Sequence, residues 1–307
     1  MHSLSSSPIL NGRIAEAKIV VSNQDWRPLR KVDLGQLSEA RLQAHYAAQW
    51  LGRAAQAYVS PQPDYSHTNL GWDDAFDGFT THALKDDVCL GLMIADLTLV
   101  FFKKGRKRAQ SFPLNKRSDK DARAWLGEQF AARGMDARAL DAPSPYKIPW
   151  HAIANGAAYD TTGASNALGE LTAWFANADY LLGNIRKQMI GRKLTASPVR
   201  CWPHHFDLAT LISLDEGDSE RARSVNTGLS PGDEHYGEPY FYVSPYPYPA
   251  PAMLPPLPKL GHWHTSDFTA AIAPASRIVE AKNQKAETVA FLQDAVEGAT
   301  KVLTTLR

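Results

Sequence analysis

Five of the ten histidines fall between positions 204 and 264: His204, His205, His235, His262 and His264. Neutral imidazole ligates zinc, iron and nickel, and carboxylates complete such sites. The densest group is Trp202-Pro203-His204-His205-Phe206-Asp207-Leu208-Ala209, which puts two histidines and an acid at the head of an apolar, β-branched run. On a strand, side chains two apart share a face and neighbours oppose each other. His205 and Asp207 therefore share a face, and His204 cannot join them if the strand is regular. His262 and His264 share a face if Gly261–Thr265 is extended. The set His205, Asp207, His262 and His264 is thus a candidate site for a divalent metal such as zinc. Glu234 or Glu238 would serve as the base for a metal-assisted hydrolysis. The competing reading is structural. Histidines beside Trp and Pro serve as hydrogen-bonded core or rim groups, and a carboxylate at a strand start can accept backbone N–H bonds.

A second concentration lies in the loop Ser230–Pro258, which holds Tyr236, Tyr240, Phe241, Tyr242, Tyr246 and Tyr248, with seven prolines from Pro245 to Pro258. Proline lowers the entropy of an extended path, and tyrosine offers broad amphipathic contact. Trp202, His204, Tyr240, Tyr242 and Trp263 are the candidates for lining a small-molecule cleft in the C-terminal half. The alternative is a non-catalytic interaction module that uses residues 236–258, including as the face of a homodimer. Lys103, Lys104, Arg106, Lys107 and Arg108 form a basic run. It lacks interleaved aromatic residues and any groove-binding motif, so it reads as a solvated hairpin tip and not as a nucleic-acid site. There is no G-x-G-x-x-G, P-loop or G-x-S-x-G pattern.

The bulk properties suit a globular protein. The chain has 307 residues, 44% apolar and 21% charged, with a net charge of +1, so no global field attracts nucleic acid or an anionic membrane. Its two cysteines, Cys89 and Cys201, form no C-x-x-C and fit a reducing compartment. Met1–Gly12 shows neither a basic n-region nor an apolar h-region, so no signal peptide is expected. The longest apolar run, Val88–Phe102, is interrupted by Asp96 and falls short of the roughly 20 residues needed to span a bilayer. A cytoplasmic protein without a membrane partner is the expectation.

These candidates need elements to hold them. Ile14–Val21 reads as a strand. Asp33–Tyr58 reads as a helix with Leu42, Tyr46 and Trp50 on one face. Phe79–Leu84, Val88–Ala95 and Leu97–Phe102 read as strands, with a return strand near Arg108–Leu114. Ser118 and Asp121 form a capping box for a helix to Arg133, and Gly134 ends it. The proline-bearing segment Asp141–Pro149 bridges two halves. In the second half, Ser165 is the expected cap of a long helix to Gly191. Strands are expected at Phe206–Leu214, Pro239–Ser244 and Thr265–Ala273, and a last helix at Asn283–Leu303. Asp215–Pro231 is polar and reads as an exposed loop.

The halves echo each other. Gln49-x-x-Gly52-Arg53, Ser60-Pro61, Trp72 and Phe76-Asp77 recur as Gln188-x-x-Gly191-Arg192, Ser197-Pro198, Trp202 and Phe206-Asp207. Duplication is the favoured explanation. It predicts an α+β fold of two pseudo-repeated helix–strands–helix halves, residues 1–145 and 146–307, in one compact unit. The sheet should be mostly antiparallel, with helices packed on one face. Gly52 and Gly191 inside helices suggest close packing of those helices, since each glycine costs about 1 kcal/mol against Ala.

The order Ser197-Pro198-Val199, Trp202, Phe206-Asp207-Leu208-Ala209, Glu238-Pro239-Tyr240-Phe241-Tyr242 and a C-terminal helix with Phe291-Leu292 resembles an uncharacterised bacterial family, one of the domains of unknown function. The resemblance runs from about Trp26 through most of the chain. It implies a cytosolic bacterial protein of this two-half build. It carries no activity and gives no role to His204 or His205.

Overall fold

The computed structural model describes residues 26–103, 110–217 and 222–305. The strand expected at Ile14–Val21 and the basic run after Lys103 lie outside the described residues. The first half contains helix α1 (Leu34–Tyr58), strands β1 (Gly71–Asp73), β2 (Gly78–Thr80), β3 (Val88–Met93), β4 (Thr98–Lys103) and β5 (Gln110–Pro113), and helix α2 (Asp119–Ala131). The second contains α3 (Ser165–Gly191), then β6 (Thr195–Ala196), β7 (Arg200–Trp202), β8 (Asp207–Ser213), β9 (Ser224–Ser230), β10 (Tyr240–Tyr246), β11 (His262–His264) and β12 (Ala270–Pro274). Helices α4 (Ala275–Ile278) and α5 (Gln284–Thr305) close it.

The architecture is α+β with two antiparallel sheets. Strands β1 to β5 form a meander in sequence order. The larger sheet runs β11-β12-β10-β9-β8-β6, and β7 also pairs with β8. The two sheets meet where Leu70 and Cys201 exchange backbone N–H···O bonds of 2.8 Å in both directions.

Local chemistry explains the helix starts. Asp33 accepts the Gln36 N–H at 3.0 Å and caps α1. Ser118 and Asp121 form the expected capping box of α2. The long helix α3 departs from expectation. Ser165 is its first helical residue and Ala164 precedes it, with no side-chain cap.

Alternation along the strands divides the large sheet into two faces. Leu208, Leu229, Phe241, Val243 and Ala273 face α3 and α5, where the Phe241 ring lies 6.2 Å from Trp174. Asp207, Ala209, Leu211, Asn226, Gly228, Tyr240 and Tyr242 occupy the other face.

The polar stretch read as an exposed loop contains β9, paired on both sides by β8 and β10. Val225, Thr227 and Leu229 are buried, and the Thr227 hydroxyl donates to the Tyr242 carbonyl at 3.2 Å. Ser, Asn, Thr and Gly mask the period-two pattern that three buried side chains are enough to fix. Gly228 is required there, because a Cβ would sit 2.6 Å from the Tyr242 Oη and 2.7 Å from the Leu208 carbonyl oxygen.

The sequence echo slips by one residue in three dimensions. The first hairpin closes on the Asp73–Gly78 pair, the second on Trp202–Asp207. The αL residue before the second strand is Asp77 in one and Phe206 in the other. Phe76 packs on Phe102, whereas Phe206 is fully buried against Phe79 and Phe175. A third hairpin, closed by Met93–Thr98, has Leu97 in the same left-handed position. The matched tetrapeptide turns therefore reflect a recurring hairpin form in this protein. The two helix glycines also differ: a Cβ on Gly52 would lie 3.3 Å from Pro203, and one on Gly191 would meet nothing within 4 Å.

Candidate functional site

A cleft of about 780 Å³ opens between the polar-containing face of the large sheet and elements of the first half. Its floor is Asp207, Ala209 and Leu211 on β8 and Asn226 on β9, brought to one face by the strand period. The turn with Trp202, His204 and His205 and the adjoining face of α1, with Gln49, Gly52, Arg53 and Gln56, line its walls. The segment 139–146 and residues 64–68 complete the rim. The cleft thus spans both halves, where the sequence placed it in the second alone. Gln49, Gly52 and Arg53 carried the decisive signal, but the duplicated Gln-x-x-Gly-Arg pattern pointed to packing. In the second copy, Arg192 pairs with Glu297 on the surface.

The turn is held from below. The carbonyl oxygen of Pro203 accepts both the His45 Nε2–H and the Gln49 Nε2–H, each at 2.8 Å. His45 stacks on Phe206 with ring centroids 5.1 Å apart. Bulky residues rarely adopt φ near +59°, and Phe206 does so here with its ring in the core. His204 and His205 are thereby carried on a short turn whose base is fixed by α1.

The wall is aromatic. Tyr146 and Trp202 approach His204 with centroid separations of 5.3 and 6.0 Å, and His205 lies 4.1 Å from it. Burial lowers the His204 pKa to about 4 and raises that of the Tyr146 phenol to about 12.

Asp207 forms the polar floor. Tyr242 Oη donates to its Oδ2 at 2.6 Å, while its buried Oδ1 has no hydrogen-bond partner. Burial pushes its pKa up, and the Tyr242 hydroxyl and His205 oppose that shift. On the α1 side, Arg53 has no hydrogen bond or ion pair among the described residues. Its guanidinium lies over the Trp50 ring at 4.9 Å.

The four-residue metal set is not assembled. His205 and Asp207 belong to the β8 end, and His262 and His264 are on β11. Strands β9, β10 and β12 intervene, so four inter-strand steps of about 4.8 Å separate them. Among the described residues no group of three His, Cys, Asp or Glu could hold a metal ion. His262 and His264 share a face of β11, but His205 lies in the turn before β8, outside the strand period, and sheet order cannot be read from periodicity.

On β11, His262 and His264 build a different arrangement. Tyr236 Oη lies 3.1 Å from His262 Nε2 and 3.0 Å from His264 Nδ1. His264 Nε2 lies 2.7 Å from Asp267 Oδ1, and Asp267 Oδ2 lies 3.4 Å from His235 Nδ1. Tyr240 donates to Asp233. Trp263 points to the helical side and donates to the Pro255 carbonyl at 2.7 Å. Glu238 accepts from the Ser276 N–H and hydroxyl at 2.6 and 2.9 Å, at the start of α4. Glu234 is exposed, 3.9 Å from His235. Neither glutamate lines the cleft.

No helix among the described residues is long and apolar enough to cross a membrane. Neither the curated proteins nor the solved structures contain a match to this chain. A family described as of unknown function, DUF5996, matches residues 29–304. The chain belongs to that family, the DUF5996 family of unknown function, which spans nearly its whole length.

Proposed function

We propose that the protein binds a small molecule in the cleft between α1 and the large sheet. One observation carries this reading: Asp207 lines the cleft, and its buried Oδ1 has no hydrogen-bond partner in the protein. Buried polar atoms are almost always hydrogen-bonded, and an unmet one costs about 1–3 kcal/mol. A ligand that supplies the missing partner recovers that cost. The volume falls in the range of ligand pockets, about 300–1,000 Å³, and the lining combines apolar surface with a few polar groups, as such pockets do. Of the residues proposed from sequence, Trp202, His204, His205 and Asp207 line it directly, and Tyr242 supports it through Asp207.

The test is a thermal-shift screen with a fragment set of aromatic heterocycles and aliphatic controls, run on the wild type and on Leu211→Trp. Leu211 is 43% exposed at the floor, so the larger side chain fills the cleft without entering the core. Some fragments should raise the melting temperature of the wild type and not of the variant. If no fragment separates the two proteins, the cleft is not a ligand site.

A second reading, an interaction module, is favoured by the exposure of Tyr246, Tyr248 and Met253, at 48%, 52% and 41%. Tyr246 ends β10, and Tyr248 and Met253 follow it in the proline-rich segment. Sedimentation of the wild type and of Tyr246→Ser/Tyr248→Ser tests it: a change in association state supports the interface, and identical behaviour removes it.

A further inference from the structure

The cleft holds two polar groups of opposite character that the protein leaves unmatched. Asp207 Oδ1 is buried on the floor without a partner. Arg53 lines the α1 side; its guanidinium rests on the Trp50 ring and makes no hydrogen bond or ion pair among the described residues, although its charge acts on the carboxylates of Asp119 and Asp141. The rings of Tyr146, Trp202 and His204 line the same cleft. We propose that the ligand is a planar nitrogen heterocycle that presents an N–H to Asp207, lies against Tyr146, Trp202 and His204, and carries an anionic group to Arg53.

Each part of the ligand follows from a different property of the wall. Asp207 Oδ2 already accepts from Tyr242, so the second oxygen is the free acceptor, and a ring N–H or exocyclic amine matches it. The three rings are inclined to one another and not stacked together, and such an aromatic wall suits a flat aromatic body. A guanidinium presents a planar fork of donors suited to phosphate or carboxylate. Gln56, from the same helix as Arg53, adds an uncharged donor on that side. A cationic ligand would meet Arg53, and an aliphatic acid would leave Asp207 unmatched. The floor and the helix wall thus select for a molecule with both ends.

The inference rests on the cleft being a ligand site. Isothermal titration with four probes tests it: guanosine 5′-monophosphate, pterin-6-carboxylate, guanosine and ribose 5-phosphate. The first two carry heterocycle and anion, one with phosphate and one with carboxylate. Guanosine lacks the anion, and ribose 5-phosphate lacks the ring. At least one of the first two should bind about tenfold more tightly than either partial probe, and the stronger binder identifies the anion. Arg53→Met should abolish the advantage over guanosine. Asp207→Asn should weaken the ring-bearing probes about tenfold, because a charge-assisted bond becomes a neutral one, and should leave ribose 5-phosphate unaffected. Equal binding of complete and partial probes, or an unchanged ratio in Arg53→Met, overturns the proposed ligand class. If all four fail while other fragments still separate wild type from Leu211→Trp, the ligand class falls and the cleft stands. If no fragment separates those two proteins, both fall.

Discussion

His45 donates its Nε2–H to the carbonyl oxygen of Pro203 over 2.8 Å, from the middle of α1 to the turn that carries His204 and His205. Gln49, one helical turn on, donates to the same oxygen, and Gly52 leaves room for the proline ring 3.3 Å from where its Cβ would be. Three residues at i, i+4 and i+7 therefore hold the turn. Replacing both donors, as His45→Phe/Gln49→Leu, leaves a buried carbonyl unmet and should cost about 1–3 kcal/mol in urea unfolding. Either single variant should cost less, because the other donor remains. Equal costs for single and double variants would contradict a shared acceptor.

Two buried groups act in opposite directions on acid stability. Burial lowers the His45 pKa to about 4 from 6.5. The unfolded chain then binds the extra proton first, so stability is full above pH 6.5 and falls on acidification toward pH 4. Burial raises the Asp179 carboxyl to about 6, assisted by the charge of Asp74. Its contribution is full below the unfolded value of 3.8 and is lost as pH rises through 6. The slopes oppose each other between pH 4 and 6 and should flatten the wild-type profile there. Asp179→Asn should stabilise the protein at pH 7 by an amount on the order of 2 kcal/mol and expose the His45 slope. Denaturant midpoints across pH 4–8 provide the check, and a flat profile in Asp179→Asn would count against the His45 assignment.

Tyr242 is seated over Gly228 and donates to Asp207 at 2.6 Å. Tyr242→Phe removes the only donor to that carboxyl found among the described side chains. It should raise the Asp207 pKa further and weaken cleft binding at neutral pH. Gly228→Ala should have a similar effect by displacing the ring, with an added overpacking cost of about 1–3 kcal/mol. Ligand titration as a function of pH reads both. An unchanged pH dependence in Tyr242→Phe would separate this hydroxyl from the site.

Gly261, just before β11, packs against Phe291 of α5. A Cβ there would lie 2.2 Å from Phe291 Cε2, inside the core. Gly261→Ala should cost about 1–3 kcal/mol through displacement of Phe291. It should leave cleft binding intact, because β8 and β11 are at separate places in the sheet. Loss of binding with retained stability would reverse that expectation.

The sequence reading recovered what local periodicity encodes. The helix α1 and the long α3 were legible from spacing, and the Ser118–Asp121 capping box from its residues, although the cap expected at Ser165 is absent. Strand β9 was hidden, since Thr227 and Gly228 are chosen for what lies across from them and not for apolarity. The metal set failed for a related reason. His205 with Asp207, and His262 with His264, were each placed on one face, but only strand order determines how far apart two such pairs stand. Arg53 was visible within a repeated motif, yet its role depends on a turn about 150 positions away in the chain. Lining residues from distant segments leave no periodic trace.

The backbone exchange between Leu70 and Cys201 joins the two sheets immediately beside the cleft. Thr68 stands two positions before one partner and Trp202 one position after the other, and both line the cavity. The seam between the sheets therefore also borders the cleft. A substitution that rotates one sheet against the other would retune the size of the accepted ligand while every contacting side chain stayed the same.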